Sequence, residues 1–231
     1  MTAEEEPRHA ARTWRGVRRS GANSDRDYRL ELVASVMLAI TTVLTAWSAY
    51  QATRWSGLQS INFARAASYR VESTRAYNLG AQKYVIDTST FNFFAEAYAA
   101  GDAQLAEFYR TRMMRKDFIP FVDAWIASNP LEQELGSATI RSPVEDPAYL
   151  DLLFARSREL EALAEEHFGK ATTANQHSDN YVLGTVIFAS VLFFAGISSK
   201  FRTYNVRMLL LALAGLMLLI GAGRIVGLPV H

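Results

Sequence analysis

The amino-acid sequence predicts an all-α integral membrane protein with three transmembrane helices and a long-helix extracytoplasmic bundle between the first and second. Three observations carry this expectation. Half of the residues are hydrophobic, and they concentrate in three blocks near the length a bilayer core requires. Lys and Arg gather on the flanks that would face one side of the membrane. The long segment between the first two blocks repeats its apolar residues at helical spacing and shows no strand alternation. In lipid, backbone groups must bond within their own segment, so each block is expected to be a helix.

Taken in order, residues 1–29 form a cytoplasmic Arg-rich segment carrying Arg12, Arg15, Arg18, Arg19, Arg26 and Arg29. Residues 30–50 (LELVASVMLAITTVLTAWSAY) are the first transmembrane helix, with Glu31 at its edge. A cleaved signal peptide has a short basic start and an apolar stretch of about 7–15 residues. Here the start is long and contains Glu4, Glu5 and Glu6, and the apolar stretch exceeds that length. Residues 51–180 make the extracytoplasmic helical domain. Residues 181–199 are the second transmembrane helix, 200–207 a cytoplasmic link holding Lys200, Arg202 and Arg207, and 208–226 the third transmembrane helix. Residues 227–231 form an extracytoplasmic C-terminus. The basic clusters before the first block and in the link both place the N-terminus in the cytoplasm.

Within the first helix, Ser35, Thr42, Thr45 and Ala49 share one face. Small and hydroxyl residues let membrane helices approach closely, so this face is expected to pack against helices or to line an oligomeric pore. Trp47, Tyr50 and Trp55 stand where interfacial aromatic anchors belong. Beyond them Tyr77, Tyr84, Phe91 and Tyr98 recur every seven residues, a stripe suited to helical association. Gly80 is expected to kink this helix and Gly101 to stop it, with Asp102 capping the next. Shorter helices are expected over 103–114 and 117–128, ended by Asn129-Pro130, followed by a loop over 131–145. Asp146-Pro147 marks a helix start, and Leu150, Leu153, Phe154, Leu160, Ala164, His167, Phe168 and Ala171 give the returning helix an apolar stripe. Gly169 and the polar run 172–180 are candidate bends.

Chemistry-bearing constellations are weak. The chain has no cysteine, which excludes disulfides, thiolate nucleophiles and Cys-based zinc sites. His167 and His177 lie ten residues apart, about 80° out of register on a helix, so no metal site is expected. Glu159, Glu161, Glu165 and Glu166 alternate with Arg156, Arg158 and Lys170, as on a solvated, salt-bridged face. No phosphate loop or nucleophile motif is present. Catalytic residues and cofactors are therefore expected to be absent. A net charge of +1, with acidic residues among the N-terminal arginines, gives no nucleic-acid surface. No ionisable group lies near the middle of a crossing, where coupled transporters keep them.

The run Trp47-Ser-Ala-Tyr-Gln-Ala-Thr-Arg-Trp55-Ser-Gly-Leu-Gln59 resembles a group of uncharacterised bacterial inner-membrane proteins. In that group a first crossing leads into a WSAYQATRWSG-type motif, and two more crossings lie near the C-terminus. The resemblance covers the first crossing, its exit and the overall layout. It implies a multi-pass protein of the bacterial plasma membrane and brings no activity. The expected function is that of a non-enzymatic, self-associating structural or interaction protein, a homo-oligomer whose partners are the bilayer and possible further membrane or extracytoplasmic proteins. Two alternatives stand beside it: an extracytoplasmic ligand-sensing module acting through a partner, and a homo-oligomeric channel lined by the first helix.

Overall fold

No proline stands between Pro7 and Pro120, and along that stretch a single helix, α1 (Pro7–Ala99), forms. The computed structural model describes residues 7–132 and 141–231, with side chains described over 26–132 and 141–231. Glu4, Glu5, Glu6 and the loop residues 133–140 lie outside the described residues, and Arg12, Arg15, Arg18 and Arg19 outside the described side chains. After α1 come α2 (Ala103–Phe108), a π-helical turn (Tyr109–Met113), α3 (Ile119–Ala127), a 3-10 turn (Pro143–Glu145), α4 (Pro147–Ser198) and α5 (Tyr204–Val226). Every regular element among the described residues is helical. Three of them, α1, α4 and α5, are long and apolar enough to cross a membrane. The chain divides into two compact units, one of Met1–Ser60 with Ala171–His231, the other of Ile61–Lys170.

The first unit packs α1, α4 and α5 through small residues. Ala34, Thr41 and Ser48, seven apart on α1, are buried, as are Val191 and Ala195 of α4 and Leu211 and Ala214 of α5. A Cβ on Gly221 would stand 2.7 Å from the Phe188 ring, and one on Gly184 would stand 3.1 Å from Ile225. Absent side chains at these points let the helices close on one another. The link is shorter than predicted. Helix α5 begins at Tyr204 because Arg207 is already inside it, bonding its amide to Thr203 and its guanidinium to Asp27 at 3.1 Å.

In the second unit α1 and α4 run antiparallel, since Asn62 meets His167, Ser73 meets Ser157 and Tyr84 meets Tyr149. Ala66, Ser73, Gly80, Asp87 and Phe94 are buried at seven-residue intervals. Opposite them Leu153, Ser157, Leu160 and Ala164 are buried at alternating steps of four and three. That is the seam of a coiled coil, built here largely from Ala, Ser and Gly. Gly80 is therefore no kink. A Cβ there would lie 2.7 Å from the Leu153 carbonyl oxygen, so the residue marks the closest approach of the two helices. Gly169 and residues 172–180 likewise remain within continuous helix.

The far end of this unit is shaped by caps. Gly101 adopts φ 76°, and Gly101 and Asp102 donate to the carbonyls of Tyr98 and Ala97. This Schellman arrangement satisfies the last turn of α1. The Asp102 carboxylate then accepts from Leu105 N at 3.0 Å and caps α2. Asp146 does the same for α4, accepting from Ala148 N at 2.7 Å and Tyr149 N at 3.3 Å, with Pro147 in the first turn. Around these ends Phe91, Phe94, Met114, Phe118, Val122, Tyr149 and Leu153 form the core.

Candidate functional site

The face predicted on the first crossing is not the one that holds the three helices together. Thr41 and Ser48 are buried, whereas Ser35, Thr42 and Ala49 are exposed and Thr45 is half-buried. Ala39, Ala46 and Thr53 continue the exposed row, giving small residues at three- and four-residue steps from 35 to 53. The hydroxyls on this row do not seek outside partners. Ser35 donates to the Glu31 carbonyl at 2.9 Å, Thr42 to Leu38 at 2.8 Å and Thr53 to Ala49 at 3.0 Å. Thr45 donates to Thr41 at 2.7 Å. A hydroxyl satisfied by its own helix leaves a smooth surface that buries without an orphaned polar group. On the face toward α4 and α5, Ser48 Oγ is buried with no hydrogen-bond partner among the described residues, against the position of Gly184.

The three aromatic anchors behave differently from one another. Trp47 and Tyr50 are exposed and lie 6.1 Å apart by ring centroids. Trp55 is drawn inward, between His177 at 4.6 Å and His231 at 5.3 Å. Its indole N–H donates to the Pro229 carbonyl at 3.2 Å, which also accepts from the Tyr181 hydroxyl at 3.1 Å. The amide of His231 donates to Gln51, 1 % exposed, at 3.1 Å. The segment 227–231, predicted only as a terminus, is thus seated on α1 and α4. Its partners lie 48 residues away on α4 and 174 to 180 residues away on α1, which no local pattern reveals.

The seven-residue aromatic stripe is used inside the chain. Tyr77 packs on Phe154, Tyr84 stacks on Tyr149, Phe91 meets Phe118 and Trp125 edge-on, and Tyr98 stacks on Phe94. His167 bonds Asn62 at 2.9 Å and stacks on Tyr69, as a packed seam histidine does. No group of three or more metal-ligating side chains occurs among the described residues. Three of the four glutamates singled out on α4 sit in exposed ion pairs: Glu159 with Arg156, Glu165 with Arg70, Glu166 with Lys170. The hydrogen bond from Lys170 holds the Glu166 carboxyl below its ordinary pKa.

One polar cluster escaped the sequence reading. Asp87, 1 % exposed on α1, accepts from Arg115 Nε at 3.0 Å on each oxygen and from the Tyr149 hydroxyl at 2.8 Å. It occupies a core position of the seam, so extending the seven-residue row from Ser73 through Gly80 would have found a charge where an apolar residue belongs. Burial, then the bond to Asp87, raises the Tyr149 phenol above its ordinary pKa. The cluster ties α1, the segment after the π-helical turn and the first turn of α4 together. A buried carboxylate survives because both oxygens are paired. Comparison with protein-family models, with curated proteins and with solved structures finds no match to this chain.

Proposed function

We propose that this chain is a non-enzymatic protein of the bacterial plasma membrane that works by associating with itself through the outward face of its first crossing. The observation that carries this reading is the division of α1. One row, Ala34, Thr41 and Ser48, is buried against α4 and α5, while the parallel row from Ser35 to Thr53 is exposed and equally small. Lipid tails are as apolar as leucine, so membrane helices associate through close packing rather than burial. A lipid-facing surface normally carries Leu, Ile, Val and Phe, as the outer faces of α4 and α5 do with Val186, Phe193, Leu209 and Leu219. A second small-residue row is suited to another helix. Its hydroxyls bond their own backbone, which favours packing over a water-lined channel.

In this reading the N-terminus and the link before α5 lie in the cytoplasm and residues 51–180 lie outside. The excess of Lys and Arg on the first two supports it. The test is native mass spectrometry of the protein in mild detergent, with Thr42→Leu combined with Ala49→Leu as the variant. Both positions are exposed, so the fold should hold while the oligomer dissociates. An oligomer that persists unchanged in the double variant would sink the proposal.

A further inference from the structure

Residues 227–231 leave α5 and turn back onto α1 and α4, where side chains of those helices hold their backbone. The Pro229 carbonyl accepts from Trp55 and Tyr181, and the His231 amide donates to Gln51. Leu228 packs on the buried cluster of Ala52, Tyr181, Phe188 and Ile225, while Val226 and Val230 stay exposed. Three hydrogen bonds and one apolar side chain are a weak hold on the scale of a folded core. A modest added attraction therefore changes how firmly this segment is seated.

The Trp55 ring is where that attraction can arise. Its centroid lies 4.6 Å from the imidazole of His177 on α4 and 5.3 Å from that of His231 on the segment itself. Both distances fall within the range of about 6 Å over which an indole attracts a cation. Imidazole is the side chain that gains charge between about pH 8 and pH 5. Few other groups intercept the change. Arg54 on α1, Asp179 on α4 and Arg224 on α5 are exposed, Tyr181 is committed to Pro229, and neither imidazole joins an ion pair among the described residues. Two imidazolium groups also repel one another. His231 is exposed and His177 half-buried, so solvent and salt screen that repulsion, while the attraction to the indole acts at direct contact.

We infer that residues 227–231 form a latch that acid tightens: protonated His177 and His231 grip the Trp55 ring and fasten the end of α5 to α1 and α4. The seated form binds protons more tightly than the released form, so seating increases as the pH falls through the imidazole range. The latch goes beyond self-association. Only the side of the membrane whose acidity it follows rests on the orientation proposed above, which places this segment outside.

Tryptophan emission of the full chain in mild detergent tests the contact, because an imidazolium touching an indole quenches it. Emission should fall from about pH 8 to pH 5, and the Trp55→Phe chain should lack that fall. His231→Gln keeps the backbone amide that bonds Gln51, so its fold is secure. It should remove part of the fall, and with His177→Gln all of it. Seating is read by maleimide labelling, for which a chain without cysteine gives no background. Ala52→Cys lies against Leu228, and Gln176→Cys is an exposed reference; the ratio of their rates cancels the pH dependence of the thiol. That ratio should fall about two- to fivefold on acidification, the size an exposed cation–π contact supports, and should stay constant with both histidines replaced. An emission fall that survives Trp55→Phe unchanged, or a ratio that rises or stays level in the parent chain, overturns the inference. On whole cells, an impermeant maleimide that fails to reach Gln176→Cys overturns the proposed orientation and leaves the latch, measured in detergent, standing.

Discussion

At the scale of single residues, Asp87 is the position where a change of one atom has the most to disturb. Its carboxylate accepts from Arg115 and Tyr149 while 1 % exposed. Removing it leaves a guanidinium and a phenol without their partner, so Asp87→Ala should cost about 3–5 kcal/mol. Tyr149→Phe removes a single hydrogen bond to a charged group and should cost about 1.5–3 kcal/mol. Thermal unfolding of the two variants in detergent checks the order, and an equal or reversed ranking would show that Arg115 finds another acceptor. The phenol also sets a pH dependence. The folded chain holds the Tyr149 proton, which burial keeps in place, whereas the unfolded chain releases it near pH 10. Its contribution is therefore complete below about pH 10 and declines as the pH rises further. The Tyr149→Phe chain should lose that part of the alkaline slope, measured as stability between neutral pH and pH 11. None of this was legible from apolar periodicity, because a counting scheme that looks for hydrophobic residues passes over a carboxylate at a core position.

At the scale of elements, glycines distinguish a helix that is merely long from one that is packed. Gly80 and Gly169 both looked like bends in the sequence, and both lie within continuous helix. A Cβ on Gly80 meets the Leu153 carbonyl at 2.7 Å, whereas one on Gly169 meets nothing within 4 Å. Gly80→Ala should then destabilise by about 1–3 kcal/mol through forced separation of the helices. Gly169→Ala should stabilise by up to about 1 kcal/mol through helix propensity alone. Melting temperatures that move the same way would contradict the assignment of Gly80 to the seam. The starts and stops of helices were legible where short-range chemistry decides them: Gly101 at the end of α1, Asp102 before α2, and Asp146-Pro147 before α4. They were not legible where a distant partner decides. Tyr204 begins α5 four residues early because Arg207 reaches Asp27, 180 residues away. The π-helical turn of Tyr109–Met113 precedes Arg115, which is held by Asp87; a fifth-neighbour bond of that kind has no sequence signature.

At the scale of the whole molecule, the three apolar spans and the all-helical character followed directly from block hydrophobicity and spacing. Which face of the first span is buried did not, since Thr41 and Thr42 are chemically alike and only contact with α4 and α5 separates them. The assembly prediction lives on that distinction: Thr42→Leu with Ala49→Leu alters the exposed row and should leave the monomer folded, as far-ultraviolet circular dichroism would record. Equivalent substitutions at Thr41 and Ser48, which are buried, should instead unfold the first unit. In the second unit the aromatic stripe at Tyr77, Tyr84, Phe91 and Tyr98 was legible as a repeat but not as an internal one, because periodicity gives spacing and not the identity of the neighbour. The same seven-residue seam limits how the gene for such a chain can change length. Inserting or deleting one residue between Ser73 and Gly80 would swing every later position about 100° around the helix, taking Asp87 out of the core and bringing Ile86 (insertion) or Thr88 (deletion) into its place. Only additions of whole sevens keep the buried row in line, and each must be matched by an equal addition on α4. Lineages descended from such an ancestor should differ here by paired blocks of seven residues, or not in length at all.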